Sequence, residues 1–188
     1  AATSPTWGNW QTIQFLATSD DGFCLIDSCL IKYGGSYYGG ITFTNAGGTL
    51  SNTTISDIYY YGIECDGGAT PTINGVDIIN CRLDPIAISL TSDPTFLNIT
   101  FAANGSKGIR ILEGTLSSNA TLYTRDVAGI NNIAYIVGNL TIAPNAVLTI
   151  APEVVIKFVN NGYSGIYVQG ALIADGTAVQ KIIFTSLY

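Results

Sequence analysis

The sequence predicts an all-β fold, a right-handed parallel β-helix of about eight coils of roughly 23 residues with three short strands in each coil. Two observations predict this class. Apolar positions recur at intervals of 22 to 25 residues along two independent ladders. Between them, strand-like alternation is interrupted by turn formers, among them 21 glycines, and this pattern leaves no place for a sizeable helix.

The first ladder is a turn-forming residue followed by an apolar-x-apolar triplet. Its isoleucines are spaced 22, 23 and 23 residues apart, at Ile41, Ile63, Ile86 and Ile109. The second ladder consists of apolar pairs five residues apart, with a turn former between the two members: Leu25/Leu30, Leu50/Ile55, Ile73/Ile78 and Phe96/Phe101. We expect each ladder to be a file of inward side chains that stack from coil to coil, with the right-handed crossover that parallel sheets favour.

The C-terminal third repeats at shorter range. Residues 140–147 (LTIAPNAV) are followed directly by residues 148–155 (LTIAPEVV), and Ile156 opens a third unit. Three such units make about one coil of the longer ladders. The sequence therefore predicts one β-helix domain over residues 1–188, with regular coils of 22–25 residues over 1–115 and eight-residue units over 116–188.

Composition limits the chemistry and the partners. Charged residues make up 11% of the chain, against roughly 25% in an average soluble domain, and apolar residues make up 47%. The absence of histidine excludes histidine-dependent triads and histidine-ligated zinc. A net charge of −6 makes nucleic acid and anionic membrane surfaces poor partners, and the apolar runs are too short for a membrane-spanning helix.

Seven short segments resemble the right-handed β-helix repeats of secreted bacterial surface proteins, which belong broadly to the pectin-lyase-like superfamily. They are residues 10–15 (WQTIQF), 29–35 (CLIKYGG), 138–142 (GNLTI), 148–152 (LTIAP), 155–158 (VIKF), 168–177 (VQGALIADGT) and 182–186 (IIFTS). The resemblance covers nearly the whole chain but rests on structural residues, and it therefore specifies architecture better than activity. It implies a secreted protein, extracellular or at the cell surface.

The order of two of these segments predicts self-assembly. In that group the Phe-Thr-Ser strand normally runs on into the Trp-x-x-Ile-x-Phe coil, whereas here the two stand near opposite ends of the sequence. Residues 1–4 (AATS) suit either a mature end left by signal-peptide cleavage or a fragment of a longer protein. With no capping helix evident at either terminus, we expect a head-to-tail homopolymer or an excised stretch of a longer solenoid. The expected assembly interface comprises Trp7, Trp10, Ile13, Phe15, Ile182, Phe184, Ser186 and Tyr188.

Catalysis is the alternative, because the superfamily includes polysaccharide lyases and glycosidases. Asp20 and Asp21 resemble the paired aspartates of polygalacturonase-like glycosidases, but the histidine and the Arg-Ile-Lys segment of that group have no match. The lyases of this fold hold calcium between clustered carboxylates. The outward carboxylates of this chain contain no Asp-x-Asp cluster. They are Asp27, Asp57, Glu64, Asp66, Asp77 and Asp84. We therefore expect no catalytic residue, no metal site and no cofactor, with a carbohydrate-binding or carbohydrate-cleaving β-helix as the alternative function.

Aromatic and threonine files follow from the first and second ladders. Tyrosine pairs precede Ile41 and Ile63 by four and three residues and should stack on adjacent coils, either as a structural aromatic ladder or as a contact for surface polysaccharide or a neighbouring filament. The candidate residues are Tyr37, Tyr38, Tyr59, Tyr60 and Tyr61. Stacked threonines suggest ice binding, but their files are interrupted and no regular array continues. One file contains Thr49, Thr72 and Thr95, and the other contains Thr54 and Thr100.

Cysteine and asparagine supply two further expectations. Cys65 aligns with inward positions and should be a buried free thiol, Cys81 has no evident partner, and Cys24 and Cys29 could form a disulfide in an oxidising compartment. Five Asn-x-Ser/Thr sequences permit glycosylation, although a chain this rich in these residues contains several by chance: Asn52, Asn98, Asn104, Asn119 and Asn139.

Overall fold

The computed structural model describes residues 4–188, and within that range it contains 22 short strands and no helix. The predicted class is confirmed. The chain forms an all-β parallel solenoid with three sheets per coil, in about seven turns of about 24 residues. The strands form because each short apolar-x-apolar segment is bounded by residues that turn the chain.

The chain divides into two compact units, and unit 1 comprises residues up to Lys107 together with Val127–Gly129. Its strands alternate between three parallel sheets in chain order. The first sheet contains β1 (Ile13–Leu16), β4 (Ile41–Thr44), β7 (Ile63–Asp66) and β10 (Ile86–Ile88). The second contains β2 (Leu25–Asp27), β5 (Thr49–Ser51), β8 (Thr72–Asn74) and β11 (Thr95–Leu97). The third contains β3 (Leu30–Lys32), β6 (Thr54–Ser56), β9 (Asp77–Ile79) and β12 (Thr100–Ala102).

Unit 2 comprises Gly108–Asp126 and Ile130–Tyr188 and is built in the same way. Its first sheet contains β13 (Ile109–Ile111), β16 (Tyr135–Val137), β19 (Val155–Phe158) and β22 (Ile183–Ser186). The second contains β14 (Gly114–Leu116), β17 (Asn139–Ile142) and β20 (Gly165–Val168). The third contains β15 (Ala120–Leu122), β18 (Val147–Ile150) and β21 (Ala171–Ala174). The predicted eight-residue units correspond to β17, β18 and β19.

The core consists of the stacked files that the ladders predict. Ile63 lies in register between Ile41 and Ile86, and all three are fully buried. Ile73 lies in register between Leu50 and Phe96 in the second sheet. The third sheet repeats this arrangement with Ile55, Ile78 and Phe101. Each inward residue is therefore covered by the equivalent residue one coil away.

The ladder is wrong by one residue in the first coil. Ile26 and Ile31, not Leu25 and Leu30, lie opposite the inward Leu50 and Ile55. Both strands begin Leu-Ile, so an apolar residue stands at the inward and at the outward position, and hydrophobic periodicity alone cannot choose between them. Leu25 points outward instead and is 62% exposed, and the outward Leu30 is 67% exposed.

The register is fixed by the corner between the second and third sheets. The corner residues of successive coils are Ser28, Asn52, Gly75 and Asn98, with φ angles of 53°, 47°, 66° and 51°. This left-handed conformation is one that Asn and Gly tolerate best, which explains the turn formers within each apolar pair. By the spacing of the other coils, the turn former between Leu25 and Leu30 should be Asp27, but the left-handed corner is Ser28. This shift accompanies the one-residue shift of the strands.

We predict that a cavity in the stacked core destabilises the protein far more than a change on the same strand facing water. Ile73→Ala removes a fully buried side chain and should lower the free energy of unfolding by about 3 kcal/mol. The matched control is Thr72→Ala, an exposed neighbour that should cost less than about 1 kcal/mol. Denaturant unfolding of both variants measures the difference, and equal effects would contradict the assigned register.

Candidate functional site

A groove lined by aromatic rings lies on unit 1. It has a volume of about 410 Å³ and is lined by Pro5, Thr6, Trp7, Tyr33 and Tyr59, and we call it the tyrosine groove. The surface that lines it is mostly apolar, which suits a ligand with an apolar face.

The rings reach the groove because they occupy corners between the third sheet and the first. Tyr33 follows β3 directly and has a φ of 63°, a left-handed conformation that ends the strand. Its backbone N–H donates to the Ser56 carbonyl one coil further on. The N–H of Tyr59 donates in turn to the Gly34 carbonyl. Backbone hydrogen bonds between successive coils therefore hold both tyrosines in place.

Trp10 braces the same corner. Its indole N–H donates to the Lys32 carbonyl at 2.7 Å, and its ring packs against the backbone of Gly34. A Cβ at Gly34 would lie 2.6 Å from the Trp10 ring, so this packing requires glycine. Trp10 is therefore a structural contact of unit 1, in addition to being one of the expected assembly residues.

Two cations stack on the tyrosine rings. The Arg82 guanidinium lies 4.6 Å from the centre of the Tyr59 ring, and the Lys32 ammonium lies 5.0 Å from the centre of the Tyr33 ring. A smaller groove of about 220 Å³ is lined by Tyr59, Tyr60, Arg82 and Leu83. Tyr59 therefore lines both grooves.

The charge of Lys32 is balanced by Asp57, with 3.3 Å between the Lys32 nitrogen and an Asp57 oxygen. Burial alone would raise the pKa of Asp57, but hydrogen bonds from Asn80, Lys32 and Ser56 outweigh burial and lower it. The same hydrogen bond to Asp57 raises the pKa of Lys32. Both groups are therefore ionised at neutral pH, and they form an ion pair beside the groove.

The predicted tyrosines are only partly those that line the grooves. Tyr59 and Tyr60 have ring centres 5.8 Å apart, and Tyr60 and Tyr61 contact edge to face at 5.7 Å. Tyr37 and Tyr38 form a separate edge-to-face pair at 5.5 Å. Sequence reasoning did not assign Trp7 and Pro5 to this surface, because residues near the first strand have no repeat partner that would place them.

A buried carboxyl group anchors the loop that carries Tyr37 and Tyr38. Glu64, on the outward face of β7, is only 7% exposed and accepts a hydrogen bond from the Gly39 N–H at 2.9 Å. Its register partners Thr42 and Ala87 are buried as well, so this outward face is covered. Burial raises the pKa of Glu64 to about 7, and the nearby charge of Asp66 adds to the shift.

The remaining carboxylates expected on the surface are dispersed. In the described part of the chain, no three His, Cys, Asp or Glu side chains are close enough together to hold a metal ion. Asp27 accepts hydrogen bonds from Ser51, Asn52 and Ser28, which lower its pKa. Asp84 is buried and accepts a hydrogen bond from the Ser106 hydroxyl. These contacts connect neighbouring coils.

Two strands at the ends of the first sheet, β1 in unit 1 and β22 in unit 2, have inward side chains that are incompletely covered. In unit 1, Phe15 of β1 stacks on Phe43 with ring centres 4.8 Å apart, while Ile13 is 40% exposed although its partner Ile41 is fully buried. In unit 2, Phe184 of β22 stacks on Phe158 at 6.5 Å and is 45% exposed. We call these the β1 edge and the β22 edge.

Outward positions near both edges are also apolar. Leu25 and Leu30 stand beside Thr49 and Thr54 of the next coil. In unit 2, Tyr167 and Ile173 stand beside Thr141 and Thr149 and are about half exposed. Sequence reasoning missed the outward apolar residues near β1, because the second ladder places Leu25 and Leu30 in the core.

The other expected interface residues lie near these edges. Trp7 is partly exposed in the tyrosine groove, and Ile182 is half-buried just before β22. The Ser186 hydroxyl donates to the carbonyl of Tyr188, whose ring is largely exposed. Their part in assembly stays a prediction.

All four cysteines are free thiols in this structure. Cys65 lies inward between Phe43 and Ile88 and is fully buried, as predicted. The suggested disulfide between Cys24 and Cys29 is not formed in this structure, where Cys24 directly precedes β2 and Cys29 directly precedes β3. Burial raises the pKa of the Cys81 thiol to about 12 and keeps it protonated.

The five potential glycosylation sites differ in accessibility. Asn52, Asn98, Asn119 and Asn139 are exposed. Asn104 is half-buried, and its amide accepts a hydrogen bond from the Cys81 N–H and donates one to the Ile78 carbonyl. A glycan on Asn104 would break this bridge between coils.

A family model described as the right-handed β-helix region matches residues 7–147, three quarters of the chain. The chain belongs to the right-handed β-helix family. The match includes the β1 edge of this β-helix and the groove residues Trp7, Tyr33 and Tyr59, and it stops before the β22 edge. No curated protein and no solved structure matches the chain. None of the described residues forms a helix long and apolar enough to cross a membrane.

We predict that the stability of this β-helix falls as pH rises through the titration of Glu64. Its carboxyl group has a pKa of about 7 when folded and 4.5 as its ordinary value, so the folded protein holds a proton that the unfolded chain releases. The stability that the Glu64 proton contributes is therefore fully present below about pH 4.5 and falls by up to about 3 kcal/mol by about pH 7. Denaturant unfolding across this range should show the fall, and Glu64→Gln should flatten it. The same slope in both proteins would contradict this assignment.

Proposed function

We propose that this β-helix is an extracellular structural protein, without catalytic activity, that assembles head-to-tail by joining the β22 edge of one copy to the β1 edge of the next. The observation that carries the proposal is the exposure of inward-facing apolar side chains, Ile13 and Phe184, on strands whose counterparts elsewhere in each unit are buried. An added strand at each edge would cover them in the way that each interior coil covers its neighbour.

The composition of the two edge strands supports the proposal. Sheet edges are normally protected against further pairing by lysines, other charges or prolines. The strands β1 (IQFL) and β22 (IFTS) contain none of these residues. Covering each half-exposed Ile or Phe side chain contributes about 1 kcal/mol, and pairing the free backbone groups of both strands adds to it. The contact joins two different surfaces, and repetition therefore produces an open chain of copies.

The test is a pair of variants on one strand. Ile13→Lys places a charge on the inward face of the β1 edge, whereas Gln14→Lys places the same charge on the outward face of the same strand. Sedimentation and electron microscopy should show concentration-dependent growth of the unmodified protein and of Gln14→Lys, with association weakened about tenfold or more in Ile13→Lys. Equal association of the two variants, or a monomer at every concentration, would contradict the proposal.

Mixing distinguishes head-to-tail growth from lateral association. The Ile13→Lys protein keeps its β22 edge intact, so it should bind one end of a growing chain and stop growth there. A minor fraction of this variant should therefore shorten the assemblies formed by unmodified protein. Lateral bundling would not respond in this way.

The tyrosine groove supports a second candidate function, which is binding of carbohydrate. Pyranose rings have apolar faces that stack on aromatic rings, and Trp7, Tyr33 and Tyr59 supply three such rings around one groove. The polar tips of the tyrosines and the adjacent Arg82 and Lys32 provide donors for hydroxyl or carboxylate groups.

Binding is tested by calorimetric titration with a soluble neutral glucan and with polygalacturonate. Tyr59→Ala should weaken binding about tenfold, since stacking one ring contributes about 1–2 kcal/mol. The control is Tyr163→Ala, an exposed tyrosine in unit 2 that should leave binding unchanged. Absence of binding by the unmodified protein, or equal binding by Tyr59→Ala, would contradict this second function while leaving the assembly proposal standing.

A further inference from the structure

Three Asn-Gly sequences occur among the described residues, Asn74-Gly75, Asn104-Gly105 and Asn161-Gly162. In such a pair the backbone nitrogen of glycine can attack the side-chain carbonyl carbon of asparagine, because glycine has no Cβ to hinder the approach. The reaction needs a free glycine N–H and a side chain that can turn towards it. The three pairs differ in the hydrogen bonds made by the glycine N–H and by the asparagine side chain.

The pair Asn104-Gly105 is locked between coils. The Gly105 N–H donates to the carbonyls of Cys81 and Leu83, at 2.9 Å and 2.8 Å. The Asn104 side chain accepts from the Cys81 N–H and donates to the Ile78 carbonyl, both at 2.9 Å. Attack would require these bonds to break first.

The pair Asn74-Gly75 is locked in the same way. The Gly75 N–H donates to the Leu97 carbonyl at 2.9 Å, and the Asn74 side-chain oxygen accepts from the Asn98 amide at 2.8 Å. The nucleophile and the electrophile are therefore both engaged with the next coil.

Among the described residues, the pair Asn161-Gly162 makes no such bond to a neighbouring coil. It lies in the exposed corner between β19 and β20, and no acceptor within the described residues takes the Gly162 N–H. Gly162 has a φ of 77°, and a Cβ built on it would meet no atom within 4 Å. Because its N–H makes no hydrogen bond within the described residues, the Gly162 nitrogen can be approached by the Asn161 side chain.

The corner also activates the electrophile. The Asn161 side-chain oxygen accepts hydrogen bonds from the backbone N–H groups of Tyr163 and Ser164, both at 2.9 Å. Two donors on one carbonyl oxygen draw electrons from its carbon and stabilise the negative charge that develops on the oxygen during attack. This arrangement has the geometry of a small oxyanion hole.

We propose that Asn161 is a site of spontaneous deamidation in the folded protein. The Gly162 nitrogen loses its proton to solvent and bonds to the Asn161 side-chain carbon, and the amide nitrogen leaves as ammonia. This forms a succinimide ring. Water then opens the ring at either carbonyl, giving aspartate or isoaspartate with no change in oxidation state. The net charge passes from −6 to −7, and isoaspartate adds one main-chain carbon to the corner next to the strand β20.

The experiment is prolonged incubation of the folded protein in mildly alkaline buffer at physiological temperature, followed by mass spectrometry. Cleavage after lysine and arginine places the three pairs on separate peptides, residues 33–82, 83–107 and 158–181. In folded protein Asn161 should convert about tenfold faster than Asn74 and Asn104, since each of these must first break an inter-coil hydrogen bond. In protein unfolded with urea the three rates should become similar.

Two outcomes of the rate comparison would overturn the proposal. One is conversion of Asn161 in the folded protein at no more than the rate of the two locked pairs. The other is an equally large lead of Asn161 in the unfolded chain, which would assign the difference to local sequence and not to the fold. Fragmentation that separates aspartate from isoaspartate should show both products at Asn161, as ring opening requires, whereas aspartate alone would contradict the succinimide route.

Discussion

Each coil of this β-helix can bury its inward side chains only against an adjacent coil. Ile63 is fully buried because Ile41 and Ile86 lie in register on either side of it, and the same holds for Ile73 between Leu50 and Phe96. Ile13 and Phe184 have a neighbour on one side only and remain about half exposed. Because inward side chains are buried only between two coils, the end strands β1 and β22 keep exposed apolar side chains. The proposed assembly would bury them.

The grooves, the ion pair and the exposed Asn-Gly sequence lie at the corners of the coils and not within the stacked strands. In the stacked strands each side chain lies one strand spacing from the equivalent side chain of the next coil. Like charges repel at this distance, and this explains the low charge of the chain. At the corners, left-handed residues such as Tyr33 and Asn52 turn the chain and direct side chains outward. The tyrosine groove, the Lys32–Asp57 pair and the exposed Asn161-Gly162 sequence all lie at corners.

The sequence was sufficient to predict the fold because the ladders are periodic: once Ile41 and Leu50 are placed, most inward positions follow. It failed in the first coil, where Leu25-Ile26 and Leu30-Ile31 each offer two apolar residues and only the corner at Ser28 decides which points inward. The groove was predicted in part. Tyr59 and Tyr60 are repeat residues, whereas Pro5 and Trp7 precede the first strand and have no periodic signal.

The central claim is that β1 and β22 each lack the second neighbour that strands such as β4, β7 and β19 have, and that a second copy supplies it. Amide hydrogen exchange measured at low and at high protein concentration tests this most directly. The account predicts rapid exchange of the free-edge amides of β1 and β22 in dilute protein and their protection on assembly, with interior strands such as β7 protected throughout. Edge amides that exchange at the same rate at both concentrations would contradict it.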